Sequence, residues 1–259
     1  MISYFISVII PVLNNKSGFT KALASLPSPS ENNIQTIVID GGSTDGTLSV
    51  IIENNGVIDY WESGNDSGIC DAFNRGILKS TGKFIVILNS DDYWEPDAFN
   101  AFSNSITENP RGDIYYGAIR FFEPVSGYNY IRKPYIENMK YRMSLFHPAM
   151  LIRRETYMRI GLYNPDYTHA MDSEWCHRAI SSGESFIEIP FIIANMSLGG
   201  ISDREYNVSL SQYRDSIIFH KLSGAISANI YFMYFLLAKN IMRYPFMFNF
   251  KKIRDFFIK

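Results

Sequence analysis

Four short runs of apolar, largely β-branched residues each give way to a polar cluster, and a helical pattern separates each run from the next. Ile6-Ser-Val-Ile-Ile10 leads into Pro11-Val-Leu-Asn14, and Thr36-Ile-Val-Ile39 into Asp40-Gly-Gly-Ser-Thr-Asp-Gly-Thr47. Gly56–Tyr60 precedes Glu62-Ser-Gly-Asn-Asp-Ser-Gly68, and Lys83-Phe-Ile-Val-Ile-Leu88 precedes Asn89-Ser-Asp-Asp92. The intervening helices are read over Lys16–Ser25, Leu48–Asn54, Asp71–Ser80 and Pro96–Asn104. This alternation predicts an α/β fold in which parallel strands are joined by right-handed crossovers and covered on both faces. Open sheets of that kind bind ligands beyond the carboxyl ends of their strands, where the four polar clusters fall.

The second half is less regular. Strands are expected at Asp113–Phe122, Tyr128–Arg132, Phe186–Ile189 and Phe191–Asn195, with a helix over Asp172–Ser181. From Arg204 the pattern is helical, broken near Gly224 and Pro245. We therefore divide the chain into a main domain, residues 1–203, and a helical C-terminal region, residues 204–259.

With 259 residues and 46% hydrophobic composition, the chain can bury a large core. A disordered, collagen-like or disulfide-stapled protein is excluded. Two cysteines, Cys70 and Cys176, lie far apart in helical segments, which fits a reducing cytoplasm. The apolar start lacks a basic n-region and a cleavage site, so it reads as a buried strand. A net charge of −2 argues against nucleic acid as a partner. Residues 239–259, however, carry six basic residues and one acidic, a net of +5, leaving −7 for residues 1–238. The basic end is also aromatic, with Tyr231, Phe232, Tyr234 and Phe235 just before it and Phe246, Phe248 and Phe250 within it. Leu222–Ala238 is free of charge but short and polar-spotted for a membrane span. Two readings stay open: helices packed on the body, or a surface-lying helix that meets anionic lipid headgroups.

Asp40 follows three apolar strand residues, where no helix cap is needed, and its carboxylate can accept the imide N–H of a uracil or another nucleoside donor. Asp45 reads as a cap for the next helix. Asp91 and Asp92 repel each other unless a cation or several donors compensate, and oxygen ligands at such a point suit Mn²⁺ or Mg²⁺ with substrate phosphates. A helix cap before Pro96 explains one of the two acids but not both. Asp172 can cap its own helix, with Glu174 in the first turn. His147 and His169 stand alone, and no His/Cys spacing suggests zinc. A P-loop, a dinucleotide fingerprint and a G-x-S-x-G elbow are all missing.

Together these segments resemble the family 2 glycosyltransferases of bacterial polysaccharide and O-antigen assembly. Ser7-Val-Ile-Ile-Pro-Val-Leu-Asn14 is similar to the family's first strand, and Asp40-Gly-Gly-Ser-Thr-Asp45 to its nucleoside-binding segment. Asp66-Ser-Gly-Ile-Cys-Asp-Ala-Phe-Asn-Arg-Gly76 resembles an Asp-x-Gly-Ile-Tyr-Asp-Ala-Met-Asn-Lys-Gly run. Asn89-Ser-Asp91 stands where the family has its metal-binding Asp-x-Asp, with Asn replacing the first acid. Asp172, six residues before Arg178, matches the surroundings of the catalytic base, although Met171 stands where Glu is frequent. Leu198-Gly-Gly-Ile-Ser202 resembles a Gly-Gly-Val-Ser loop.

The resemblance implies a GT-A fold, a Rossmann-like and mostly parallel sheet, with a helical appendage. It implies metal-dependent inverting transfer of a hexosyl group from a nucleotide sugar, taken here as a UDP-sugar, to a glycan acceptor. A polyprenyl-diphosphate-linked saccharide at the inner face of the cell membrane is the expected acceptor. Asp172 would be the base. Pro11, Asn14, Asp40, Asp66, Arg75, Ser90 and Asp91 would bind the donor, and Asp91, then Asp92, would hold Mn²⁺ or Mg²⁺. His147, Glu174, Gly199 and Gly200 would face the acceptor or the diphosphate. A noncatalytic nucleotide- or sugar-binding module on the same fold is the alternative, as is a sugar nucleotidyltransferase. The latter normally carries a Gly-rich basic loop that Asn14-Asn-Lys-Ser-Gly18 does not provide. A two-carboxylate glycoside hydrolase needs no acidic cluster of this kind at a strand end.

Overall fold

In the computed structural model, residues 5–27, 33–198 and 206–242 are described. Strands β1 (Ile6–Val12), β2 (Ile34–Asp40), β3 (Tyr60–Ser63) and β4 (Phe84–Ile87) alternate with helices α1 (Lys16–Ala24), α2 (Thr47–Glu53) and α3 (Ile69–Lys79). All four strands are parallel, in the spatial order β3-β2-β1-β4. The remaining strands are β5 (Tyr93–Trp94), β6 (Ile114–Phe122), β7 (Asn129–Arg132), β8 (Met150–Arg153) and β9 (Phe186–Ser197). Among the described residues they extend one sheet as β4-β8-β6-β9-β5, with β7 paired to β6. β8 is antiparallel to both β4 and β6, so the sheet is mixed beyond β4. The other described α-helices are α4 (Ala98–Glu108), α5 (Arg154–Ile160), α6 (Met171–Ser181), α7 (Tyr206–Phe219) and α8 (Ala225–Met242).

β1 and β2 are buried along their whole length, which is why they read as continuous apolar runs rather than alternating ones. Two cores result, one on each sheet face: Val8, Ile10 and Phe19 with Trp94 and Phe102 on one, Ile9, Ile37 and Phe73 with Trp175 on the other. α3 approaches β1 closely because position 76 is glycine; a Cβ there would lie 2.3 Å from Ile9 Cγ2.

Several boundaries differ from the sequence reading. β1 passes through Pro11 instead of ending there. Leu88 N donates to Ile9 O, so the β4 side of β1 faces Pro11 two residues later, beyond the last β4 pair at Ile87. No ladder donor is missed there, which is the condition for proline in a strand. β3 lies further along than Gly56–Tyr60. The two strands expected around Pro190 are one, because the register to β6 jumps from Gly117↔Ile189 to Ala118↔Ile192 and leaves Pro190 and Phe191 outside the pairing.

The C-terminal region is not a uniform appendage. α7 docks on α6 through a buried polar contact, the Ser216 hydroxyl donating to His177 Nδ1 (2.7 Å), while His177 Nε2 donates to Met139 O (3.1 Å) in the 3-10 turn Ile136–Lys140. Burial pushes the His177 pKa down to about 3, so the ring is neutral, as that pattern requires. His220 lies 3.0 Å from Glu174, and Ser209 Oγ donates to His169 O (3.2 Å). α8 packs Ala228 against Tyr213 and Ile217 of α7, and Tyr231 stacks on Tyr141 at 4.2 Å between ring centroids. Among the described residues its other face is exposed: Ile226, Ile230, Met233, Tyr234 and Leu237 are 40–79% exposed. Among the described residues, no helix is long and apolar enough to cross a membrane. Phe246, Phe248 and Phe250 lie outside the described residues, as does all of the basic tail beyond residue 242.

Candidate active site

Because β1 to β4 run in one direction, their carboxyl ends open on one edge and bring the four polar clusters together. Asn14 leaves β1 at φ 49°, a left-handed turn that Asn accepts more readily than most residues. Its N–H donates to Ser43 Oγ and its side-chain oxygen accepts from Thr44 N, both at 2.8 Å. Asp45 accepts from Lys16 N (2.9 Å) and from Thr47 N (3.0 Å) and so ties the start of α2 to α1, but the N-cap of α2 is Gly46, not the Asp45 expected from sequence. The Thr47 hydroxyl and those N–H groups hold its carboxyl below the ordinary range.

Asp40 is fully buried at the end of β2. Its carboxylate accepts from Ser43 N (3.2 Å) and from the hydroxyls of Ser43 and Ser63 (2.5 Å each). The side chain therefore joins the second and third loops. Asp66 lies beside Gly41, where a Cβ would sit 3.0 Å from Asp66 Oδ2, and its Oδ1 accepts from Gly68 N (2.9 Å). Ser90 is buried beneath α1, its Oγ accepting from Asn15 Nδ2 at 3.3 Å. Gly18 makes that approach feasible, since a Cβ there would fall 2.4 Å from Ser90 O.

Arg75 does not join this group as a free cation. It pairs with Glu62 at 2.7 Å and Asp71 at 3.6 Å, which explains the basic residue of that run as a local brace. Its neighbour Asn74 spans to the loop before α6, exchanging two 2.9 Å hydrogen bonds with the Tyr163 backbone. Pro11, buried inside β1, has no N–H and offers only its carbonyl and its shape.

The Asn89–Asp92 turn brings several side-chain oxygen atoms to the carboxyl end of β4. Asp91 is exposed, while Asn89 Oδ1 and Asp92 Oδ2 are buried with no hydrogen-bond partner. Asp92 does not cap a helix: its Oδ1 accepts from Ser197 N (3.1 Å), fastening the turn to the end of β9. Burial and the adjacent Asp91 charge push its carboxyl well above the ordinary range, against the pull of that N–H. Among the described residues, no three His, Cys, Asp or Glu side chains converge as a complete metal site. These donors fit Mg²⁺ or Mn²⁺ held by one or two carboxylates and completed by diphosphate oxygens and water.

From this turn a side-chain path leads to Asp172. Asn89 Nδ2 is 2.9 Å from His147 Nε2, and His147 Nδ1 is 3.8 Å from Asp172 Oδ2. His147 sits in a short 3-10 turn, His147–Ala149, which β8 follows directly. Phe73 packs edge-on against its ring, and Trp94 Nε1 donates to Pro148 O (3.1 Å). Asp172 lies in the first turn of α6, with Ala170 rather than Asp172 at the N-cap. Its Oδ1 accepts from Ser173 N (2.7 Å) and its side chain keeps 29% of its surface exposed. Burial works to raise the Asp172 carboxyl, but His147 and the Ser173 N–H outweigh it and hold it below the ordinary value.

Glu174 points elsewhere. It is 4% exposed and bound by Arg178 (2.9 Å) and His220 (3.0 Å), so it serves the docking of α7 and is closed to an acceptor. Arg178 also donates to Ile160 O (2.7 Å) and Leu162 O (2.8 Å), setting the loop between α5 and α6. Gly199 and Gly200 lie outside the described residues. Sequence reasoning passed over Asn74 and Ser63, whose neighbours in space are distant in sequence. Cys70 and Cys176 are buried free thiols.

With the geometry in hand, similarity to known proteins gives the class. The sequence model described as "Glycosyl transferase family 2" matches residues 7–170, and the chain belongs to that family. The matched span stops two residues before Asp172. A PGL/p-HBAD biosynthesis glycosyltransferase of Mycobacterium bovis is 27% identical over 180 residues, covering 68% of this chain and 70% of that protein. The crystal structure of S. aureus TarS 1-349 in complex with UDP aligns at TM-score 0.64 and 18% identity, over 90% of this chain and 70% of that one. The mannosyltransferase PcManGT from Pyrobaculum calidifontis, in complex with GDP-Man and Mn2+, aligns at 0.64 and 17%, over 89% and 70%. The fold is the GT-A fold of these glycosyltransferases, with helices added at the C-terminal end.

Proposed function

We propose that this glycosyltransferase is inverting and moves a hexosyl group from a UDP-sugar to a glycan acceptor carried on a polyprenyl diphosphate, in surface polysaccharide biosynthesis. The observation that carries this reading is the joining of the strand-end loops to Asp172 through Asn89 and His147. Nucleoside binding is assigned to Asn14, Asp40 and Asp66, and the diphosphate end to Ser90 and Asp91. The UDP and Mn2+ complexes of the structural relatives favour the same class of donor. Asp91, with Asp92 behind it, would hold Mn²⁺ or Mg²⁺, which when bound offsets negative charge on the departing diphosphate. Asp172 takes the acceptor hydroxyl proton as the new glycosidic bond forms and the bond from the anomeric carbon to the diphosphate oxygen breaks. Its lowered pKa keeps it ionised and able to accept that proton at neutral pH.

A panel of nucleotide sugars, offered with a lipid-diphosphate-linked GlcNAc or GalNAc analogue, tests the reading. The expected result is release of nucleoside diphosphate and a glycosylated product with Mn²⁺ present, and neither after chelation. Binding of nucleotide without any turnover across the panel would leave only a binding module.

The open face of α8 favours a membrane-surface location at the inner leaflet. Five exposed apolar residues lie at helical spacing, immediately before a segment of net charge +5. Ile230→Asp with Met233→Asp is expected to abolish sedimentation with vesicles containing anionic lipid, while leaving turnover of a soluble acceptor intact. Unchanged sedimentation would assign that face to another contact.

A further inference from the structure

We propose that Asn89 fixes the tautomer of His147, and that His147 thereby acts as a positioning residue for Asp172; this rests on the reading of Asp172 as the base. An amide nitrogen only donates, so His147 Nε2, 2.9 Å from Asn89 Nδ2, must offer its lone pair. The neutral ring then carries its proton on Nδ1, the nitrogen that faces Asp172 Oδ2 at 3.8 Å. Oδ1 accepts from Ser173 N, and Oδ2 faces the imidazole Nδ1–H at 3.8 Å, longer than a hydrogen bond but aligned so that the contact can shorten when substrate binds. The ring cannot readily swing to another partner, because Phe73 lies against it and the turn that carries it is tied to Trp94.

This gives a physical reason for the amide at position 89. A carboxylate there would accept from Nε2–H and drive the neutral ring to the opposite tautomer. Its Nδ1 lone pair would then face the Asp172 oxygen, and the contact would turn from attraction to repulsion unless the ring took up a second proton. The neutral amide sets the direction of the path from the strand end to the base, and leaves its own oxygen, Oδ1, unpartnered at the site.

The test uses the full chain, metal-free, with ¹⁵N-labelled histidine. Long-range ¹H–¹⁵N correlation spectra distinguish the tautomers, and the His147 signals are assigned by their loss in His147→Asn. The expected wild-type state is Nδ1–H; Asn89→Asp should convert it to Nε2–H or to the doubly protonated ring. A wild-type ring in the Nε2–H form, or one unmoved by Asn89→Asp, overturns the proposal.

Kinetics give the second readout. His147→Ala should lower kcat by about 10–100-fold with little change in donor KM. His147→Asn, whose amide N–H falls near the position of Nδ1, should recover much of that loss, whereas His147→Gln should not. Equal loss in Asn and Gln variants counts against a directed N–H. An active Asp172→Asn enzyme would remove the base reading itself. An inactive one combined with the Nε2–H tautomer would overturn the positioning role alone.

Discussion

Replacing Asp172 with Asn is expected to lower kcat by roughly two to four orders of magnitude, the range that a positioned proton acceptor contributes. Donor KM should move little, because Asp172 lies at the first turn of α6, while the residues assigned to the nucleotide belong to the ends of β1 to β4. The substitution is nearly isosteric, and Asn can still accept from Ser173 N through its amide oxygen, so the helix start is preserved. It cannot take a proton. Steady-state kinetics with a lipid-linked acceptor analogue, beside a UDP-binding titration, separates the two effects. Loss of nucleotide binding along with kcat would mean that the residue shapes the donor site instead. Retention of full kcat would remove it from the chemistry.

The second large effect concerns the platform beneath that residue. Trp175 is completely buried three residues after Asp172, with its ring 4.7 Å from Tyr157 and 6.1 Å from Tyr163. Its indole N–H donates to Gly161 O at 2.9 Å. Trp175→Ala deletes the ring, opens a cavity and leaves that carbonyl without its donor, a loss of about 3–5 kcal/mol. For a chain of this size the melting temperature should fall by roughly 10 °C or more, read by calorimetry. Trp175→Phe keeps most of the volume and loses the hydrogen bond, so it should fall between wild type and the Ala variant. A Trp175→Ala protein that melts within a degree or two of wild type would show that α6 is held mainly through α7 and Arg178.

Strands β1, β2 and β4 could be read directly because both faces of the sheet are covered there. Burial on two sides makes Ile6–Val12 and Ile34–Asp40 continuous apolar runs, and glycines and proline punctuate them. β3, an edge strand only partly buried, carries the mixed sequence Tyr-Trp-Glu-Ser and was placed too early. β5 and β8 have two and four residues, too few for a periodic signal, and they exist because longer strands offer them partners. At Pro190 the local rule misled: proline ends a ladder in isolation, but here the register shift against Gly117 carries it outside the pairing. That shift needs the glycine, since a Cβ at 117 would lie 2.5 Å from Ile193 Cγ1.

The site divides in the same way. Polar clusters after strands announce themselves because an Asp or Asn at the end of a buried run has no packing reason to be there. Their partners do not: Ser63 for Asp40, Ser197 for Asp92, and His147 for both Asn89 and Asp172 come from 23 to 105 residues away. Arg75 and Glu174 show the converse. Each looked available by residue type, yet each is spent on a neighbouring charge that only the fold brings near. The C-terminal helices looked alike in composition, but α7 docks through buried polar contacts and α8 leaves an apolar face open.

The central claim is a single displacement in which Asp172 deprotonates the acceptor while the nucleoside diphosphate departs from the opposite face. The most direct measurement is the anomeric configuration of the product, read from the one-bond C1–H1 coupling in an NMR spectrum of the reaction with an α-linked UDP-sugar. The account predicts a β-linked product formed only while Asp172 is intact. An α-linked product would contradict it, because retention requires a route other than one direct displacement assisted by this carboxylate.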